Sequence, residues 1–327
     1  MAIFLPFVLT LAAAFLTPLS AQAQQPAKVP RIVYLSLSSG PVNAARDEAF
    51  RRGLRELGYV EGKNIVIEQR FAEGKLERLP ALAAELVGLK VDVIVSGGST
   101  PTRASMEATK TIPIVMANEG DPVGNGLVAS LARPGGNITG LSTLSPEISG
   151  KRMELLKEIV PKLSRVAVFG TSTEPETAQA LRETELAARA FGVKLQYFDV
   201  LDPKDIETVF RAAIKGRAEA ILVLASAVLN SRRTQVVDLA AKSRLPAIYP
   251  YREFVDDGGL MTYGVSFIDL HRRAATYVDK ILKGRTPADL PVEQPMKFEF
   301  IISLPAAKKI GLTIPPNVLV RADKVIR

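Results

Sequence analysis

Two periodicities alternate along almost the whole chain, and this alternation constrains the fold more than any other feature. Short Val/Ile-rich runs read as strands: RIVYLSL (31–37), NIVIEQR (64–70), VDVIVSG (91–97) and IPIVMAN (112–118). Between them lie stretches with a helical apolar period, at 43–57, 76–89 and 101–110. Phe50, Leu54 and Leu57 share one stripe that Gly58 ends, and Leu79, Leu82, Leu86 and Leu89 repeat the pattern. NITGLST (137–143) closes the first half. The second half repeats the style, with strands at 165–170, 194–200, 220–226, 246–250 and 259–264, and a late one at 297–303. Helical patterns fill 147–160, 175–191, 203–215, 231–243 and 267–283. Strands that read as unbroken apolar runs are covered on both faces, so the pattern predicts parallel α/β sheets. Two such runs predict two Rossmann-like, doubly wound lobes.

The amino terminus predicts the compartment. An apolar stretch from Ile3 to Leu16 ends at Pro18, and Ala21-Gln22-Ala23 supplies a small-x-small cleavage site. This reads as a secretory signal peptide, residues 1–23, cut after Ala23 and directing the chain to the periplasm. The absence of Cys excludes a lipid anchor, cysteine nucleophiles and cysteine-based zinc sites. The formal net charge is +8, but Lys and Arg alternate with acids along amphipathic helices (Arg51, Arg52, Arg55; Arg272, Arg273), which describes solvated helix faces rather than a nucleic-acid surface.

In open parallel sheets, ligands sit beyond the carboxyl ends of the strands. The residues that follow each strand are therefore the candidates. They are Ser36, Ser38 and Ser39; Ser96, Gly97, Gly98, Ser99 and Thr100; Asn118 to Asp121; Phe169 to Thr173; Ser226; Tyr249 and Tyr251; Tyr263 and Gly264. Most are hydroxyls, amides, glycines and aromatics, with no evident catalytic pair. The SGGST loop (96–100) has neither G-x-G-x-x-G nor P-loop spacing, so it reads either as a plain strand–helix turn or as a cradle of N–H groups and hydroxyls for an anion. No G-x-S-x-G elbow occurs, and the single His271 sits on a helical stripe with no second His or Cys, as a packed histidine does. The residue types point away from an enzyme and from any metal or cofactor.

Two long segments carry a family resemblance. GDPVGNGLVASLARPGGNITGLS (120–142) and YVDKILKGRTPADLPVEQPMKFEFIISLPAAKKIGLTIPPNVLVRADKVI (277–326) resemble the periplasmic substrate-binding proteins of ABC transporters, in the subfamily of the tryptophan- and tyrosine-binding TrpX-like proteins. The resemblance implies a type I periplasmic-binding fold with a ligand in the cleft between lobes. It implies crossings near Leu141–Ser145, near Tyr263–Phe267 and in the Pro-rich 286–295 stretch. The lobes would then comprise 31–143, with part of 265–285 returning to it, and 144–264, completed by about 290–327. It also implies a monomer without catalytic residues that hands a small carboxylate-bearing solute, an amino acid or aromatic acid, to an inner-membrane ABC permease. Rival readings are a ligand-sensing domain for a membrane signalling protein and a secreted hydrolase. In the carrier reading, Ser38, Ser39, Ser96, Gly98, Ser99 and Thr100 hold the carboxylate. Asn118 and Asp121 hold a second polar group such as an ammonium. Thr171, Ser226, Tyr249, Tyr251 and Tyr263 close from the other lobe. The polar segment at Glu119 and the SFIDLH stretch (266–271) depart from the family pattern.

Overall fold

The computed structural model describes residues 28–38, 40–295 and 298–327; the leader read at 1–23 and the candidate Ser39 lie outside these. The first lobe is built from β1 (Arg31–Ser36), α1 (Gly40–Glu56), β2 (Val66–Phe71), α2 (Leu79–Gly88), β3 (Val93–Gly97), α3 (Ser99–Ala108), β4 (Ile114–Glu119) and β5 (Ile138–Ser142). The second lobe begins with α4 (Ser145–Ile159), β6 (Arg165–Gly170), α5 (Thr177–Ala190), β7 (Lys194–Asp199), α6 (Asp205–Lys215) and β8 (Ala220–Val223). It continues through α7 (Ala227–Ser231), α8 (Arg233–Lys242), β9 (Ala247–Tyr249), α9 (Arg252–Asp256) and β10 (Met261–Gly264). Then come α10 (Phe267–Leu282), β11 (Glu299–Ser303), α11 (Leu304–Lys309), α12 (Pro316–Leu319) and β12 (Lys324–Ile326).

The sheets are ordered β2-β1-β3-β4-β5 and β12-β11-β10-β9-β8-β6-β7. Strand alternation explains why helices cover both faces. Ile32 and Tyr34 of β1 pack with Phe50 and Leu54 of α1 and with Leu270 and Ala274 of α10. Val33 and Leu35 point the other way, toward Ala83 and Leu86 of α2 and Ala104 of α3. In the second sheet Val166 and Val168 face Met153 and Leu156 of α4, while Ala167 and Phe169 face Val209 and Phe210 of α6.

The sheets are not wholly parallel, as the apolar runs suggested. β11 pairs antiparallel with β10, and β12 then runs parallel to β11. A period-2 apolar run has no direction, so the reversal is invisible in the sequence. Strand β12 and helix α9 are too short to stand out as periodic segments.

The chain passes between the lobes between β5 and α4, between β10 and α10, and before β11. Leu290 and Val292 still pack in the first lobe, so residues 290–293 run beside that lobe rather than the second. The Ser142 N–H donates to the Glu293 carbonyl at 2.9 Å, and the Glu293 N–H donates to the Gly140 carbonyl at 3.0 Å. The last crossing is therefore stitched to the first. Among the described residues no helix is long and apolar enough to cross a membrane.

Candidate functional site

The strand order explains where the site forms. In both sheets the chain steps outward from the first strand and then returns to its other side, as β1→β2 then β3, and β6→β7 then β8. Loops leaving the first and third of these strands diverge to opposite faces and open a crevice, the topological switch point. The two crevices face each other. Leu37 and Ser38 follow β1, and Gly97 to Thr100 end β3 and begin α3; Glu174, Pro175 and Glu176 follow β6, and Ala225 to Ala227 follow β8. These loops, with Arg46, Asn118, Gly120, Thr143, Asn230, Tyr251 and Phe267, enclose a cavity of about 60 Å³. That is below the range of about 300–1,000 Å³ usual for ligand sites.

Several candidate residues meet at this cavity: Ser38, Gly98, Ser99, Thr100, Asn118, Ser226 and Tyr251 all line it. Others do not. Ser96 is fully buried and its hydroxyl bonds Thr102 Oγ1 at 2.7 Å, because alternation turns it into the sheet. Asp121 Oδ1 accepts the Gly124 N–H at 2.8 Å, so its carboxylate shapes a turn. The Thr171 hydroxyl bonds Ser226 Oγ at 2.7 Å and donates to the Val200 carbonyl at 2.8 Å, tying loop to loop beneath the cavity. Tyr249 is buried and stacks on Phe254 at 4.9 Å, and Tyr263 stacks on Phe298 at 5.8 Å; both belong to packing.

The residues that sequence reasoning missed are the charged ones. Arg46 reaches from α1 in the first lobe to Glu253 on α9 in the second, with Nε and Nη2 each 2.9 Å from Glu253 Oε1. The guanidinium also lies 5.1 Å from the centre of the Tyr251 ring and 4.5 Å from that of Phe267. Burial works to raise the Glu253 carboxyl, but Arg46 outweighs it and holds Glu253 below the usual range. Glu174 accepts the Ala227 N–H at 2.6 Å. Glu119 is fully buried behind Ser99, with Oε1 accepting from Ser99 Oγ at 2.6 Å and from Asn125 Nδ2 at 2.8 Å. Burial, and then the charge of Glu176, push both Glu119 and Glu174 up to about 8. Burial raises Glu176 as well. The strand-end rule contained the signal for these acids: Glu119 lies inside the range it named, and Glu174 and Glu176 lie one and three residues past it.

Beneath the SGG turn sits a rigid support. The His271 Nδ1 donates to the Phe267 carbonyl at 2.8 Å, which leaves Nε2 to accept the Tyr34 hydroxyl at 3.0 Å. Burial, reinforced by Arg46, lowers the His271 pKa to about 3, so the ring is neutral. A Cβ on Gly97 would lie 2.4 Å from the Tyr34 hydroxyl and 3.0 Å from its Cζ. The Tyr34 ring is buried and hydrogen-bonded, so it cannot retreat. Gly97→Ala is expected to cost about 1–3 kcal/mol by overpacking and to displace the turn. Urea unfolding would show the lost stability, and the same titration midpoint as the parent would refute the support.

A two-lobed α/β protein with a polar cavity at facing switch points has the build of a ligand-gripping protein of the periplasmic-binding type. The chain belongs to the ABC transporter substrate-binding protein family, whose model matches residues 32–326. It is 26% identical over 266 residues to a tyrosine-binding protein of Clostridioides difficile, covering 81% of this chain and 76% of that one. Its fold is similar to the crystal structure of a conserved domain protein of Vibrio cholerae, with a TM-score of 0.86 at 30% identity over 91% of this chain and 100% of that one. It is also similar to an ABC domain of Streptococcus pneumonia solved in complex with L-Trp, with a TM-score of 0.84 at 27% identity over 91% of this chain and 99% of that one.

Proposed function

We propose that this protein is the extracytoplasmic solute-binding component of an ABC importer. It captures a small amino-acid-like solute by lobe closure and delivers it unaltered to a membrane permease. The observation that carries this reading is the cavity walled by strand-end loops of both lobes, because such a site is complete only when the lobes meet. The relatives' ligands, tyrosine and L-Trp, support an amino acid over a simple aromatic acid. The solute's carboxylate sits at the start of α3, beside Ser99, Thr100 and Ser38, which all line the cavity. Its amino group faces Asn118 and the acids. The protein acts as a monomer, with loops of a single chain walling the cavity.

The test is calorimetry of the mature chain against amino acids and their deaminated acids, followed by uptake in a strain lacking the gene. Binding near micromolar, about −8 kcal/mol, is expected for at least one amino acid. Ser99→Ala with Thr100→Ala should weaken it at least tenfold, about 1.4 kcal/mol, without unfolding. Chemical conversion of the bound solute, or uptake that survives deletion, would overturn the carrier reading.

A further inference from the structure

The wall of the cavity is electrically lopsided. Glu174 and Glu176 line it, and Glu119 stands directly behind Ser99. The one basic residue in the wall, Arg46, is paired with Glu253 and covered by the Tyr251 and Phe267 rings, although its Nη2 makes no hydrogen bond. The polar atoms left without partners are mostly acceptors. Glu119 Oε2 and Glu176 Oε2 have none, although Glu119 is fully buried. Asn230 lines the same cavity from α7 at 3% exposure, and its Oδ1 has no partner either; nor does Asn118 Oδ1. Buried acceptors without partners call for donors that the protein does not supply.

The Ser99 hydroxyl serves one of two neighbouring carboxyls. It donates to Glu119 at 2.6 Å, and Glu176 stands close enough for its charge to raise Glu119. A hydroxyl donates once, so the second carboxyl must carry its own proton or face a cation. Glu119 comes from the first lobe, and Glu174 and Glu176 come from the second. When ionised, they push the lobes apart; with a cation between them, they pull the lobes together. Among the described residues no group of three or more His, Cys, Asp or Glu is placed to hold a metal ion, so the fitting cation is organic.

We propose that Glu119, Glu174 and Glu176 are specificity-determining residues that admit a solute with a cationic nitrogen group beyond the single ammonium of a neutral amino acid, such as a basic amino acid or a diamine. This rests on the cleft being the solute site. A zwitterion brings no net charge to a site with three carboxyls, whereas a solute with an additional ammonium or guanidinium matches both the charge and the unpartnered acceptors.

The pH dependence follows from the groups that face the cluster. These are Asp121, whose charge acts on Glu176, Tyr251, which faces Glu174, Glu176 and Arg46, and Arg103, which donates to the Asn125 carbonyl at 2.6 Å. In the empty closed form Glu119 and Glu174, pushed up to about 8, keep protons at neutral pH. Their contribution to closure is complete below the ordinary carboxyl range and is lost as pH rises through about 8. A bound cation needs them ionised, so it displaces protons, and its affinity increases as pH rises toward that value.

The experiment is calorimetry of the mature chain at pH 6, 7.5 and 9 with L-arginine, agmatine and putrescine, set against L-leucine, L-tyrosine and L-tryptophan. The basic probes should bind at least about tenfold tighter than the neutral ones and gain at least about tenfold from pH 6 to pH 9 with proton release. Glu176→Gln and Glu119→Gln should each lower the affinity for basic probes at least about tenfold more than the affinity for neutral amino acids, and circular dichroism melting would show both variants folded. Because Glu176 is only half-buried, its variant keeps the test alive if Glu119→Gln does not fold. Equal binding of neutral and basic probes, unaltered in Glu176→Gln, overturns this inference and leaves the carrier reading standing. Binding of none of the amines or amino acids overturns both. Displacement of basic probes by millimolar calcium or magnesium would assign the cluster to a metal and overturn it as well.

Discussion

Replacing Arg46 with alanine should weaken solute binding by at least about 100-fold while leaving each lobe folded. Among the described residues Arg46–Glu253 is the only ion pair that joins the two lobes. The side chains are 7% and 19% exposed, so the contact is largely out of water. Removing one member of a buried pair strands the other charge, at about 3–5 kcal/mol. That cost falls on the closed form alone, since separated lobes expose Glu253 to water. A loss confined to the closed state lowers affinity and not the stability of the individual lobes. Arg46 also lines the cavity, so a direct contact with solute must be separated from the latch. A double-mutant cycle with Glu253→Ala does so: strong coupling marks the latch, and additive losses mark a solute contact. Arg46→Lys should recover only part of the affinity, because an ammonium cannot stack flat on Tyr251 and Phe267. X-ray scattering should show a larger radius of gyration for Arg46→Ala with solute present. An unchanged radius together with unchanged affinity would remove the latch.

Gly140→Ala should produce the largest loss of stability. Gly140 sits at φ +135°, where an L side chain is strained, and its missing Cβ would fall 2.2 Å from the Met116 carbonyl oxygen and 2.6 Å from the Met116 nitrogen. Both atoms are backbone of β4, the neighbouring strand, so no side chain can swing away. Backbone strain of about 1–3 kcal/mol adds to overpacking of about 1–3 kcal/mol. The melting temperature should fall by roughly 5–15 °C at this domain size. Binding should suffer too. Gly140 accepts from the Glu293 N–H, and β5 leads into Thr143, which lines the cavity and donates its N–H to the Glu119 carbonyl at 2.7 Å. A variant melting within 2 °C of the parent would show that β5 can shift away from β4 at little cost.

The acids and the latch bear on the same equilibrium. Arg46–Glu253 favours closure whatever the cleft holds, whereas the Glu119–Glu176 juxtaposition favours it only with a proton or a cation between the carboxyls. Closure is therefore opposed by a repulsion that a cationic solute relieves. A solute can shift closure only by its differential affinity for the two forms, and these carboxyls are a place where that difference arises.

The alternation of periods by itself determined that this chain forms two α/β lobes, and most strand and helix positions were legible to within a few residues. That information is local: an apolar period needs only near neighbours to be expressed. The strand-end rule likewise brought Ser38, Gly98, Ser99, Thr100, Asn118, Ser226 and Tyr251 to the cavity wall. Only the tertiary structure decided that Ser96 turns into the sheet while Ser99 faces the cleft, and that β11 runs antiparallel. It alone brought Arg46 to Glu253 across 207 residues and set Glu119 against Glu176. Those contacts depend on the rotation of one lobe against the other, which no repeat in the chain encodes. The charge of a cleft is a sum over side chains from distant segments, so it can be read only once folding has placed them together.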